Sequence, residues 1–126
     1  MMKRVVMTLT AAAVLFGAGL ITGQSTVGTP HTILHVVTVK WKATTTPAQQ
    51  QQVIDGVLAM SNKVPGVKSV WLKTIKVQPS GYQSAFAMEF TSADAFEKYV
   101  NDPAHMDWKK MYDPIHEVST THDMTN

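Results

Sequence analysis

The chain has 126 residues, the length of a single domain, and carries a formal net charge of +2 from 11 Lys and Arg against 9 Asp and Glu, with no cysteine. The lack of cysteine excludes disulfides, thiol catalysis and a lipoprotein anchor. Arg4 is the only arginine, so the rest of the chain lacks the guanidinium fork that clamps phosphates and guanines. Its lysines are spread out, and the sequence therefore argues against nucleic acid as a partner.

Residues 1–25 read as a secretory signal. Lys3 and Arg4 form a basic start, and an uncharged apolar run from Val5 to Ile21 follows. The run is marginal for a membrane span, which needs about 20 apolar residues, so the expected membrane link is an uncleaved signal and nothing more. Export to the periplasm or the medium is the expectation. Removing Lys3 and Arg4 would leave a mature chain near zero net charge. Residues 26–31 are small and polar and read as a linker, with one domain over 32–126.

Ile33 to Lys42 alternates strictly, with Ile33, His35, Val37, Val39 and Trp41 on one face. That pattern predicts a strand. Thr46-Pro47 predicts an N-cap with proline at the first helical position, opening a helix through Lys63 whose apolar stripe holds Val53, Ile54, Val57 and Leu58. Pro65-Gly66 ends it. A second strand is expected over Val67 to Val77, a turn at Pro79-Ser80-Gly81, and a third strand over Tyr82 to Thr91. Alanines 85 and 87 on one face of that strand predict a helix packed close against them. Ser92 opens a second helix with Phe96, Tyr99 and Val100 buried. Asp102-Pro103 breaks it and starts another helical stretch over Ala104 to Tyr112, and Val118 to Met124 is the final strand.

The order β-α-β-β-α-β is that of an α+β, ferredoxin-like unit. Its helices cover one sheet face. Val37, Val39, Trp41, Phe86 and Phe90 are expected on the other, an apolar surface that a second copy would cover. A homodimer joined through this sheet face, a dimeric α/β barrel, is the expected assembly.

The segments "HTILHVVTVKWK", "VPGVKSVWL", "GYQSAFAMEF" and "FEKYVNDPAHMDW" together resemble the stress-responsive dimeric α/β-barrel (Dabb) family, over about His31 to Asp123. The most specific piece is Tyr99 followed by His105 in "YVNDPAH". The family is functionally mixed, so the resemblance implies a fold before a reaction. Its best-understood chemistry is that of plant polyketide cyclases of the olivetolic acid cyclase type, which close a linear polyketide without metal or organic cofactor. The resemblance implies that their pocket tyrosine and histidine match Tyr99 and His105, and that their first-strand histidine matches His35. A further third-strand histidine of theirs falls at Ser84 here, a departure that separates this chain from their substrate.

His105 follows Asp102-Pro103 at the start of a helix, where the helix dipole disfavours imidazolium and leaves a neutral ring able to act as a base. On one unbroken helix Tyr99 would point away from it; the break allows the two to converge, with the phenol polarising a carbonyl while His105 removes an adjacent proton. The plain alternative is a core tyrosine and a histidine bonded to a backbone carbonyl. His35 either lines a cavity or is a satisfied core group. His122 and Asp123 alternate, so at most one of them approaches His35. No ligand spacing supports a metal at His35, His105 and His122, and no cofactor is expected. Lys109-Lys110 with Asp107 and Asp113 reads as a solvated face.

The reading that follows is a dimeric barrel holding a small, largely apolar ligand against His35, Val37, Trp41, Phe86, Met88 and Trp108, beside Tyr99 and His105. The alternatives are a cofactor-free acid–base enzyme of cyclase or lyase type using Tyr99 and His105, and a cofactor-free monooxygenase on the same barrel.

Overall fold

The computed structural model describes residues 26–126; the expected signal segment, 1–25, lies outside the described residues. Four strands and three helices follow in the order β1 (Ile33–Trp41), α1 (Pro47–Ser61), β2 (Val67–Trp71), β3 (Ser84–Phe90), α2 (Ala93–Val100), α3 (Pro103–Tyr112) and β4 (His116–Met124). The strands form one sheet in the order β2-β3-β1-β4, antiparallel at each pairing. This is the ferredoxin-like α+β unit, with α3 added before the last strand. Among the described residues no helix is long and apolar enough to cross a membrane.

Local chemistry fixes the boundaries. Thr46 accepts from the Gln49 backbone N–H while the Gln49 side chain accepts from the Thr46 N–H, a reciprocal cap that satisfies two orphan donors at the start of α1. Gly66 turns the chain into β2 with φ +87°, and a Cβ there would lie 2.5 Å from that of Ala95. Only glycine lets α2 approach this turn so closely. Ser92 caps α2 by accepting from Ala95 N. Asp102 caps α3 by accepting from Ala104 N, and Pro103 occupies its first position.

The core lies between the sheet and the helices. Val37, Val39 and Trp41 of β1 and Phe86, Met88 and Phe90 of β3 are buried with Val53, Ile54, Val57 and Met60 of α1, Tyr99 of α2, and Trp108 and Tyr112 of α3. This corrects the expected facing of the sheet. Val37, Val39, Trp41, Phe86 and Phe90 do not form the open face; they lie beneath the helices. The open face instead carries Leu34, Val36, Thr38, Ala85, Ala87 and Trp71, with Val118, Thr120, His122 and Met124 of β4. The alanines therefore mark the uncovered side, and no helix among the described residues packs on them. The physical reason is volume: the gap between two layers must be filled to crystal-like density by large side chains, while the exposed side has no such demand.

Two strand lengths also differ from expectation. β2 stops at Trp71 and β4 begins two residues earlier, at His116. Leu72 to Gln83 holds a proline, a glycine and two lysines, and leaves the ladder as a loop. His116 starts β4, with its ring stacked on Tyr112 at 4.1 Å and its Nδ1–H donating to the Tyr112 carbonyl at 3.0 Å.

Candidate functional site

Between β1, β4, α2 and α3 the layers part around an open cavity of about 200 Å³. Its lining includes His35 and Val37 of β1, Phe86 of β3, Phe96, Tyr99 and Val100 of α2, His105, Trp108, Lys109 and Tyr112 of α3, and Ser119 and Thr121 of β4. His35, Val37, Phe86, Trp108, Tyr99 and His105 thus meet at one place. Trp41 and Met88, expected there too, are placed differently. Met88 is fully buried in the core. Trp41 is buried too, and its indole N–H donates to Ser84 Oγ at 2.8 Å, so the residue standing where the resemblance puts a histidine serves as a tryptophan acceptor.

The Asp102-Pro103 break brings Tyr99 and His105 together. α2 ends at Val100, the Asp102 N–H donates to the Tyr99 carbonyl at 3.1 Å, and α3 leaves in a new direction. Their rings lie 4.2 Å apart between centroids, tilted by 31°. The His105 Nδ1–H donates to the Val100 carbonyl at 3.0 Å. Because a carbonyl only accepts, that bond fixes the proton on Nδ1 and leaves Nε2 as the bare nitrogen of the neutral ring. His105 is thus bonded to a backbone carbonyl through one nitrogen, as the plain alternative has it, and keeps the other free.

Burial lowers the His105 pKa below its usual 6.5; Lys109 and His35 push it further down, against the Val100 bond and Asp113. The imidazole is neutral at physiological pH. Burial raises the Tyr99 phenol well above its usual 10, with the charge of Asp123 adding to the rise, so Tyr99 is a hydrogen-bond donor and not a phenolate. A neutral base and a neutral donor sharing one apolar pocket can polarise a carbonyl and accept the adjacent proton.

His35 completes the group. Its ring meets Tyr99 edge-on at 5.9 Å and Phe96 at 5.4 Å. It is paired in register with Asp123 of β4, and its Nδ1–H donates to Asp123 Oδ1 at 2.5 Å. The imidazole is 11% exposed and the carboxylate 40%. Asp123 is thus the residue of the His122-Asp123 pair that approaches His35. His122 points to the opposite face, and the set His35, His105 and His122 is not assembled. Among the described residues no three His, Cys, Asp or Glu side chains gather as a metal site.

Sequence reasoning missed Phe96, Lys109, Tyr112, Ser119 and Thr121 as cavity residues. The signal for the β4 pair was alternation: Ser119, Thr121 and Asp123 share the parity that faces His35. Tyr112 is buried with its hydroxyl lacking a hydrogen bond. Ser119 is the polar group near enough to pull on that phenol, while burial outweighs it and raises the pKa.

A ferredoxin-like sheet with a histidine- and tyrosine-lined cavity under its helices defines a class of small α/β-barrel proteins. Residues 33–126 match the model of the stress-responsive A/B barrel domain family, Dabb, and the chain belongs to that family. Olivetolic acid cyclase from Cannabis sativa is 26% identical over 96 residues, covering 74% of this chain and 95% of that protein. Hydroxynitrile lyase from Passiflora edulis has a similar structure, with TM-score 0.68 at 20% identity over 75% of this chain and 93% of that one. A dimeric ferredoxin-like protein of unknown function from Thermobifida fusca gives 0.66 at 21%, over 75% and 91%. At these identities the structural likenesses speak for the fold.

Proposed function

We propose that the protein is an exported homodimer that holds a small, largely apolar ligand in the cavity beside His35, Tyr99 and His105. The observation that carries this reading is the cavity itself: about 200 Å³, walled by Phe86, Phe96 and Trp108, with polar groups gathered at Tyr99, His105 and His35. Apolar walls with a few convergent polar groups are what small-molecule sites have in common. The basic start and apolar run of residues 1–25 support export, and the open sheet face, with Trp71, Val118 and Met124 exposed, supports a second copy. The T. fusca protein is described as dimeric, which agrees.

The test is an NMR titration of the full chain with small neutral aromatics such as phenol and indole. Shifts confined to Tyr99, His105, Trp108 and their neighbours are expected; shifts scattered over the surface, or none at millimolar ligand, would sink the reading.

A second reading is favoured by the bare Nε2 of His105 next to a neutral Tyr99: a cofactor-free acid–base enzyme that removes a proton next to a carbonyl. The likeness to olivetolic acid cyclase supports it. Deuterium uptake from D2O into the α-carbon of small aryl ketones measures this directly. Tyr99→Phe and His105→Ala should each lower the exchange rate at least about a hundredfold; exchange that survives both changes removes the catalytic reading and leaves binding.

A further inference from the structure

We propose that Lys109 makes the cavity selective for small carboxylates, with the ring of a one-ring acid against Phe86 and Trp108 and its carboxylate on the Lys109 ammonium. This rests on the cavity reading above and adds the charge of the occupant.

The sequence groups Lys109 with Lys110 on a solvated face, and the structure separates them. Lys110 is exposed, with Nζ 3.0 Å from Asp107 Oδ1. Lys109, one residue earlier, turns to the cavity and lines it half-buried. It stands four residues after His105 on α3, and such pairs share one side of a helix.

Its charge is not answered by the protein. Among the described residues the lysine ion pairs are Lys40 with Glu117, Lys98 with Asp94 and Lys110 with Asp107, and no carboxylate lies within ion-pair distance of Lys109. The nearest acids by position are spoken for or misplaced: Asp123 is bonded to His35, and Asp113, just past the end of α3, bonds the Lys109 carbonyl through its backbone N–H and forms no ion pair with its ammonium. An unanswered ammonium at the rim of an apolar cavity favours an anion, because its field is poorly screened there and charge-assisted hydrogen bonds are the strong ones. The same wall offers neutral donors. Ser119 and Thr121 of β4 line it, and the Tyr112 hydroxyl is buried without a hydrogen bond.

Volume limits the rest of the ligand. A cavity of about 150 Å³ takes a benzene molecule, so about 200 Å³ accommodates one ring and a short substituent. Phenylacetate has those dimensions, and phenylacetamide is its neutral counterpart of equal shape.

The experiment is an NMR titration of the full chain with both probes, for the unchanged protein and for Lys109→Met, Lys110→Met and Lys109→Glu. The unchanged protein should bind phenylacetate about tenfold more tightly than phenylacetamide, as one charge-assisted contact implies. Lys110→Met should keep that preference, Lys109→Met should erase it, and Lys109→Glu should reverse it, while phenylacetamide affinity stays within about twofold throughout. Equal affinity for the two probes in the unchanged protein overturns the proposal and leaves the cavity reading standing. Equal losses in Lys109→Met and Lys110→Met also overturn it, since that is the response of general surface charge. Binding of neither probe overturns the proposal and the cavity reading together.

Discussion

The two faces of the sheet are made by the same strands under opposite demands. Beneath the helices, β1 and β3 present Val37, Val39, Phe86, Met88 and Phe90, all buried within one protomer. On the open side the same strands present Leu34, Val36, Thr38, Ala85 and Ala87, flanked by Trp71 at 52% exposure and Met124 also at 52%. One face must fill a layer whose shape the helices set. The other is a shallow, mixed surface whose apolar groups are too small to form a core and too many to be idle. The cavity beside His35 lies on the first face, where helix packing leaves a gap. The core and the cavity are therefore concentrated on one side of the sheet, and the proposed assembly would use the other.

The sharpest way to break this division is Phe90→Ala. Phe90 is fully buried and packs against Phe96 at 5.3 Å and Tyr99 at 5.0 Å. Losing it should cost about 3–5 kcal/mol in a denaturant titration and disorder the cavity wall. Gly66→Ala comes next. A positive φ alone costs a residue with Cβ about 1–2 kcal/mol, and overlap with Ala95 should bring the loss to about 2 kcal/mol or more, read by the same titration.

Acid should act on the covered face at a still smaller scale. Because the His105 pKa is lowered on folding, the unfolded chain binds the extra proton first. Stability is then full above about pH 6.5, the unfolded value, and declines as pH falls through it toward the lowered folded value. An NMR titration placing the His105 midpoint at or above 6.5 would contradict the burial argument. The smallest effect on protomer stability belongs to the open face. Val36→Lys with Trp71→Glu should change unfolding by no more than about 0.5 kcal/mol, yet sedimentation should show the proposed dimer replaced by protomers. If it instead remains a dimer, the assembly uses some other surface.

Much of this was legible in the residues. Strict alternation in Ile33–Lys42, the Thr46-Pro47 cap and the Asp102-Pro103 break mark elements with local physics, and the structure places them within a few residues. The break also carries the meeting of Tyr99 with His105, since a helix boundary between them is the one local device that cancels their unfavourable offset. What alternation cannot say is which of two half-apolar faces the helices choose. Val37 and Val36 are equivalent until volume is counted across strands, and the decisive comparison is Phe86, Met88 and Phe90 against Ala85 and Ala87. The role of Asp123 was half legible. Parity separates it from His122, but the register that sets it opposite His35 is a long-range pairing. Lys109 was not legible at all, because its difference from Lys110 is a matter of helix rotation against a cavity wall.

The stacking around Trp108 has an optical consequence. Its indole lies nearly parallel to the His105 ring, at 6.1 Å and 19°, and to Tyr112, at 4.5 Å and 18°. A protonated imidazole takes an electron from an excited indole far more readily than a neutral one. The emission of this tryptophan should therefore dim as His105 gains its proton, and change again when anything slides between the rings. The molecule carries its own indicator dye, placed in the wall of the cavity beside His105.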